Sequence, residues 1–272
     1  PNPRDFEGFV KTLSREKFHI FPGVNTLFNA LMNQKDFKKL DFSNLRISIG
    51  GGMAVTESVA NRWHDITGCP LIEGYGLSET SPVATVVSVN AKNYTANVGL
   101  PVSSTLVKIT DEHEESLDYG EVGEILIKGP QVMKGYWNNS IETDQVFSKD
   151  GFFKSGDLGF MNEKGFVTIV DRKKDMINIS GFNVYPNEIE QVVSSNPFVL
   201  ECAVVGVDKK KEGEVVRLFV VPKGNKITAE EIIVFCKKNL TAYKCPKEVI
   251  FLDELPKTNV GKILRRKLRE KK

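Results

Sequence analysis

The ten residues Glu73-Gly74-Tyr75-Gly76-Leu77-Ser78-Glu79-Thr80-Ser81-Pro82 gather the densest set of chemically useful groups in the chain. Glycines such as Gly74 and Gly76 let a backbone approach a ligand closely or take positive φ. Tyr75 offers a flat apolar face. Glu79 is a hard oxygen ligand of the kind Mg2+ takes, and Ser78 and Thr80 can donate to phosphate oxygens. The combination suits a planar base held beside a phosphate. The same residues would also serve as a glycine-rich turn between two strands, with a solvated glutamate.

Four more patches follow. Asp157, in Ser155-Gly156-Asp157-Leu158-Gly159, is a loop carboxylate suited to accepting both hydroxyls of a ribose, or a simple turn aspartate. Arg172 and Lys174 lie in the run Asp171-Arg172-Lys173-Lys174-Asp175, which could meet phosphate or form a solvated face. Ser180-Gly181 opens a tight turn that leads into a helix. Lys262 ends a Pro/Thr/Asn/Gly loop, Pro256 to Lys262, so to act in chemistry it would have to be carried into a site built elsewhere.

These side chains need a scaffold, and the periodicities supply one. Val24, Leu27, Phe28, Leu31 and Met32 recur at helical spacing and predict an amphipathic helix. Leu45 to Ile49 reads as a strand running into Gly50-Gly51-Gly52. A helix with Val59, Trp63 and Ile66 follows, capped by Thr56 and stopped at Gly68. Both glycine-rich turns then leave the C-terminal ends of strands, where open α/β sheets place ligands. From about Val98 the pattern changes to short strands at 106–109, 123–127, 152–153 and 166–170, a small antiparallel sheet or a barrel-like subdomain, with Asn162 to Gly165 as a hairpin turn. After 171–175, a linker candidate, two capping-box patterns, Asn187 with Glu190 and Thr228 with Glu231, announce helices among strands at 203–207, 215–221 and 248–252. The expected division is 1–171, comprising an α/β part (1–97) and a β-rich part (98–171), followed by an α+β domain at 172–272.

Composition narrows the class. With 272 residues and 40% hydrophobic content the chain can bury one large or two modest cores. Thirty-seven Lys and Arg against 35 Asp and Glu argue against nucleic acid or a membrane surface as the main partner. The tail is the exception: Lys262 to Lys272 holds seven basic residues and one acidic, either a phosphate contact or a frayed, solvated end. Cys69, Cys202, Cys236 and Cys245 lack metal-ligand spacing and read as reduced core thiols.

In order and spacing, Gly50-Gly51-Gly52, the stretch 73–82, 155–159, 171–190 and 256–262 resemble the core motifs of the adenylate-forming enzymes: acyl-CoA synthetases, peptide-synthetase adenylation domains and beetle luciferases. Asp150 to Lys174 is similar to the signature of fatty acyl-CoA synthetases, nearest to bacterial long-chain members. The resemblance implies a partial large AMP-binding domain and a small mobile C-terminal domain. It also implies ligation of a fatty acid to CoA with ATP and Mg2+. By that resemblance Gly51, Gly52, Gly74 and Tyr75 sandwich the adenine, with Gly76 in the same site, and Thr80 contacts the α-phosphate. Glu79 binds Mg2+, Asp157 holds the ribose with Arg172 beside it, and Lys262 bridges carboxylate and α-phosphate. Lys174 is the hinge at the nucleotide site, and Ser180 and Gly181 line the pantetheine tunnel of CoA.

The same resemblance brings departures. The phosphate-cradling Ser/Thr/Gly-rich loop of full-length members is absent from 1–272, and Pro1 is not an initiating Met, so the expectation is a C-terminal half with little ligase activity alone. Asn183 stands where some relatives carry a basic residue. The expected partners are fatty acid, ATP and CoA, with no nucleic acid. The expected location is cytoplasmic, with peripheral association at the inner face of the membrane left open. A ligase for an aryl or medium-chain acid, or a non-catalytic nucleotide-binding module, are the alternative readings.

Overall fold

A computed structural model describes residues 5–209, 213–224, 227–259 and 261–271. The chain divides into two compact units, one of Pro1–Val55 with Val59–Lys173, the other of Thr56–Ser58 with Lys174–Lys272.

The first unit opens with α1 (Phe6–Leu13), β1 (Ile20–Gly23), α2 (Asn25–Met32), β2 (Ile47–Gly50), α3 (Glu57–Thr67), β3 (Leu71–Gly76), β4 (Val83–Val86) and β5 (Leu100–Pro101). The five strands lie in sequential order, with β1, β2 and β3 parallel and β4 and β5 added antiparallel. Asp5 caps α1 by accepting from Gly8 N at 2.8 Å, and Gly68, at φ 70°, ends α3. The predicted apolar face of α2 is inward: Phe28, Leu31 and Met32 are buried, and the Phe28 ring meets Trp63 of α3 edge-on, centroids 4.7 Å apart. Trp63 is fully buried and its indole N–H donates to the equally buried Ser48 hydroxyl at 2.9 Å, so the one polar atom of that ring is satisfied.

The segment after Ile72 is strand, not turn. Residues Glu73 to Gly76 complete β3, paired parallel with β2 on one side and antiparallel with β4 on the other. Two ladders compete with a turn here and win, because they satisfy backbone groups that a buried turn would leave open.

The β-rich part is an antiparallel sheet of β6 (Leu106–Thr110), β7 (Gly123–Lys128), β8 (Phe153–Met161) and β9 (Val167–Arg172), in sequential order, with α4 (Ser140–Val146) between β7 and β8. Of the two forms the sequence allowed, the sheet is correct and the barrel-like one is not, since the sheet does not close. The predicted hairpin turn is present: Gly165 N donates to Asn162 O at 2.8 Å, with Gly165 at φ 82°. Asp157 is corrected from loop to strand, lying inside β8 opposite Arg172 of β9.

The second unit contains β10 (Ile177–Ile179), β11 (Phe182–Val184), α5 (Pro186–Ser194), β12 (Val199–Lys209), β13 (Gly213–Pro222), α6 (Ala229–Asn239), β14 (Glu248–Phe251) and α7 (Arg265–Arg269). Its central sheet, β12–β13–β14, is buried on both faces by simple alternation. Val204, Leu218 and Val220 pack with Ile189 of α5 and with Ile232 and Cys236 of α6, whereas Ala203, Val205, Phe219 and Val221 pack with Leu268 of α7. All four cysteines are free and buried.

Two local expectations need correction. Thr228 and Glu231 do form a reciprocal capping box on α6, but Asn187 and Glu190 do not: Pro186 occupies the first turn of α5, Tyr185 is the cap residue, and no side chain caps it. The basic tail is also not frayed. α7 buries Leu268 completely and pairs Arg265 and Arg269 with carboxylates. Among the described residues, no helix is long and apolar enough to cross a membrane.

If α7 is a structural element, Leu268→Ala should cost about 2–5 kcal/mol by the usual large-to-small scale, read as a lower urea midpoint at unchanged slope. An unshifted midpoint would return the tail to a solvated end.

Candidate functional site

The first unit holds Gly51, Gly52, Gly74, Tyr75, Gly76, Glu79, Thr80, Asp157 and Arg172; the second holds Lys174, Ser180, Gly181 and Lys262. Within the first unit, tertiary contacts join residues that are far apart in sequence.

Asp157 is 5% exposed. The Tyr75 hydroxyl donates to its Oδ2 at 2.8 Å, and Arg172 Nε lies 3.4 Å from its Oδ1. Strand pairing places Arg172 there, because Asp157 and Arg172 are opposite one another in the β8–β9 ladder. Tyr75 comes from β3, where its ring packs with Ala84, Val98, Ile109 and Val167. Burial, and then the Asp157 charge, push the Tyr75 hydroxyl well above its ordinary pKa, so it remains a donor. The Tyr75 ring is thus largely buried, and its hydroxyl is engaged by Asp157.

In the neighbouring run Arg172, Lys173 and Lys174 are exposed, as a solvated face requires, but the segment is also tied to β7 and β8. Asp171 is buried, Lys173 N donates to Gly156 O at 2.9 Å, and the Lys173 ammonium lies 2.9 Å from Glu124, which also accepts from Gly156 N. These bonds clamp the Gly156–Asp157 segment from both sides.

Glu79 belongs to a single 3-10 turn, Ser78–Thr80. Its Oε1 accepts from the Tyr136 hydroxyl at 3.0 Å, and it lines an open cavity of about 430 Å3 together with Tyr136, Ser155, Gly156 and Lys154. Tyr136 is a residue that sequence reasoning missed, and it carried no motif to betray it. Thr80 is fully buried with its hydroxyl among the backbone groups of its own turn, accepting from Leu77 N at 2.9 Å and facing Pro82 O at 2.7 Å. Gly76 must be glycine for want of room, since a Cβ there would collide with the Pro82 carbonyl, and Gly52 takes φ 74°.

The cavity that Glu79 faces is also lined by Asp111, Glu112, Glu114 and Glu124, and a carboxylate on an open cavity fits Mg2+, which takes one or two protein carboxylates and completes its octahedron with water and phosphate oxygens. Among the described residues, no group of three or more His, Cys, Asp or Glu forms a protein-only metal cage.

Glu73, the first residue of the ten, was also missed as a functional group. It is 8% exposed, and its Oε1 accepts from Val55 N at 3.1 Å, which ties the segment after Gly51-Gly52 to β3. Desolvation dominates there, and one backbone donor offsets only part of it, so the carboxyl pKa rises to about 7.

In the second unit, Ser180 (φ 52°) and Gly181 (φ 89°) form a two-residue hairpin turn between β10 and β11, both in the left-handed region that such turns require. Asn178 Oδ1 accepts from Gly181 N at 2.9 Å. Lys262 follows Gly261 in the loop between β14 and α7, and its backbone N donates to the Thr258 hydroxyl at 3.1 Å. Val260, within the same motif, lies outside the described residues.

Residues 1–137 match the sequence profile of the family described as AMP-binding enzyme, and residues 188–262 match the AMP-binding enzyme C-terminal domain. A long-chain-fatty-acid–CoA ligase of Yersinia pestis is 54% identical over 269 residues, covering 99% of this chain and 48% of that protein. Among solved structures, an anthranilate CoA ligase in complex with anthranoyl-AMP is similar at a TM-score of 0.91 and 29% identity, over 99% of this chain and 53% of that one. ATP-bound MatB from Rhodopseudomonas palustris is similar at 0.88 and 33%, over 98% and 53%. The chain spans about half the length of the curated relatives it matches.

Because the folded-state pKa of Glu73 is raised from 4.5 to about 7, the folded chain holds that proton more tightly than the unfolded chain. The resulting stabilisation is complete below about pH 4.5 and is lost as pH rises through 7. At about 1.4 kcal/mol per pKa unit the full effect is about 3 kcal/mol. Glu73→Gln should therefore flatten the fall in unfolding free energy between pH 5 and pH 8; an unchanged pH slope would rule out the buried neutral carboxyl.

Proposed function

The chain belongs to the AMP-binding enzyme family, and on that premise we propose that it forms part of a long-chain fatty acid–CoA ligase. In the first half-reaction a fatty acid carboxylate oxygen attacks the α-phosphorus of ATP, and pyrophosphate leaves. In the second, the CoA thiolate attacks the acyl carbon of the adenylate, and AMP leaves with the C–O bond pair.

The observation that carries this reading is the buried Asp157 carboxylate, held by Tyr75 on one side and Arg172 on the other, one residue after Gly156, which lines the open cavity that Glu79 faces. A carboxylate prepared in this way is a strong acceptor for vicinal hydroxyls, and Arg172, half exposed, can turn toward a phosphate. Tyr75 and the glycines at 51, 52, 74 and 76 would bound the base, with Thr80 shaping the turn next to the α-phosphate. Glu79 would hold Mg2+, which when bound offsets charge on the phosphates. Lys262 would supply a point charge between the carboxylate and the α-phosphate. In this reading the division into domains falls in the 171–174 region, Lys174 is the hinge of a small mobile domain, and Ser180 and Gly181 line the path of the CoA pantetheine. Hinge motion would withdraw Lys262 after adenylation and bring the CoA path to the acyl-adenylate.

The length of the acid is argued from identity. Fifty-four per cent identity to the Yersinia pestis ligase favours a long-chain fatty acid, and the likeness to an anthranilate CoA ligase keeps an aryl acid as the second reading. A panel of palmitate, octanoate and benzoate with the full-length protein separates the two.

In the full-length protein, Asp157→Ala should raise the KM for ATP by about tenfold or more, as loss of a charged hydrogen-bond acceptor does; an unchanged KM would remove Asp157 from the nucleotide site. Lys262→Ala should abolish most pyrophosphate release yet largely spare thioester formation from preformed acyl-adenylate. Equal loss of both steps would contradict the withdrawal of Lys262 between them.

A further inference from the structure

The loop that carries Lys262 closes on itself. Leu264 N donates to Pro256 O at 2.8 Å, Lys257 and Ile263 form a β-bridge, and Thr258 N donates to Lys262 O at 2.8 Å. Lys257 fastens the loop to the sheet, its ammonium 2.7 Å from both carboxylate oxygens of Glu201 on β12. Directly after the loop, Arg265 of α7 places Nη2 2.8 Å from both oxygens of Glu190 and 3.1 Å from Asn187 Oδ1. Its Nη1 lies 3.7 Å from one oxygen of Asp175, and Arg269 donates to the other at 2.5 Å. Glu190 also accepts from Val204 N at 2.8 Å, which locks the network to β12.

Two features set this network apart from a surface ion pair. Asp175 is 6% exposed, so its charge is desolvated and its direction is set by the guanidinium groups facing it. Leu268 already anchors α7 by apolar burial, but that contact is non-directional, whereas the hydrogen bonds from Arg265 to Glu190 and Asn187 and from Arg269 to Asp175 fix direction as well as distance. Asp175 is also the residue immediately after Lys174.

We propose that Asp175, acting through Arg265 and Arg269, is a positioning residue that ties the Lys262 loop to the point where the chain enters the second unit. A torsional change at Lys174 is then transmitted to Lys262 without slack. The proposal rests on the roles given above to Lys262 and Lys174.

The test is a double-mutant cycle in the full-length protein, reading pyrophosphate release, thioester formation from preformed acyl-adenylate, and thermal midpoint. Asp175→Asn keeps the side-chain size and removes the charge. It should lower the adenylation kcat on the order of 10- to 100-fold, the scale of a small misplacement of a catalytic group, with the KM for ATP within about twofold. In the Lys262→Ala background the same substitution should cost nothing further, because the group it positions is gone. Losses that multiply, or no loss for Asp175→Asn alone, overturn the proposal. No loss for Lys262→Ala alone would instead sink the lysine assignment itself and carry this proposal with it. If Asp175→Asn does not fold, Glu190→Gln, which weakens the other carboxylate on Arg265, is read in the same cycle by the same criteria.

Discussion

The first unit depends on one buried negative charge. Asp157 sits inside a strand, 5% exposed, where an isolated carboxylate would cost several kcal/mol. Two groups offset that cost: the Tyr75 hydroxyl, 82 positions away in sequence, and Arg172, placed opposite by the β8–β9 register. Each partner is constrained in return. Tyr75 is fixed in the core at one end and on Asp157 at the other, so β3 and β8 are bound together by a directional bond. The glycines of the 73–82 stretch then follow as steric requirements of that arrangement.

Glu73 shows what happens to a carboxylate of similar burial without such partners. Among the described residues it accepts from Val55 N, and its pKa rises to about 7. Two acids of the same unit thus meet different neighbours. Asp157 faces a cation and a phenol. Glu73 holds the Gly51–Val55 segment through Val55 N and is a neutral acid below about pH 7.

The second unit meets its charged groups in a third way. Its sheet is covered by helices on both faces, and the carboxylates of Asp175, Glu190 and Glu201 are each answered by a basic side chain from the last sixteen residues. Arg265 and Arg269 are therefore structural cations, whereas Arg266, 89% exposed at its side chain, is solvated. Two of the seven basic residues of 262–272, Arg265 and Arg269, are thus neutralised within the unit.

The sequence alone determined many of the element types, because periodicity and turn chemistry are local. The face of α2, the Thr228–Glu231 box, the Asn162–Gly165 turn and the alternating strands of the second unit are all written in residues a few positions apart. The ordered motifs also sufficed to identify the family. Tertiary structure decided whatever depends on who sits opposite whom. That Glu73 to Gly76 are strand, that Asp157 is buried rather than in a loop, that Tyr75 bonds it and Tyr136 bonds Glu79, and that the basic tail is fastened down all follow from pairings across tens of residues. Sequence spacing carries no record of such pairings, since a carboxylate reads the same whether solvated or buried. Only the packed chain specifies the desolvation and the partners that set its charge.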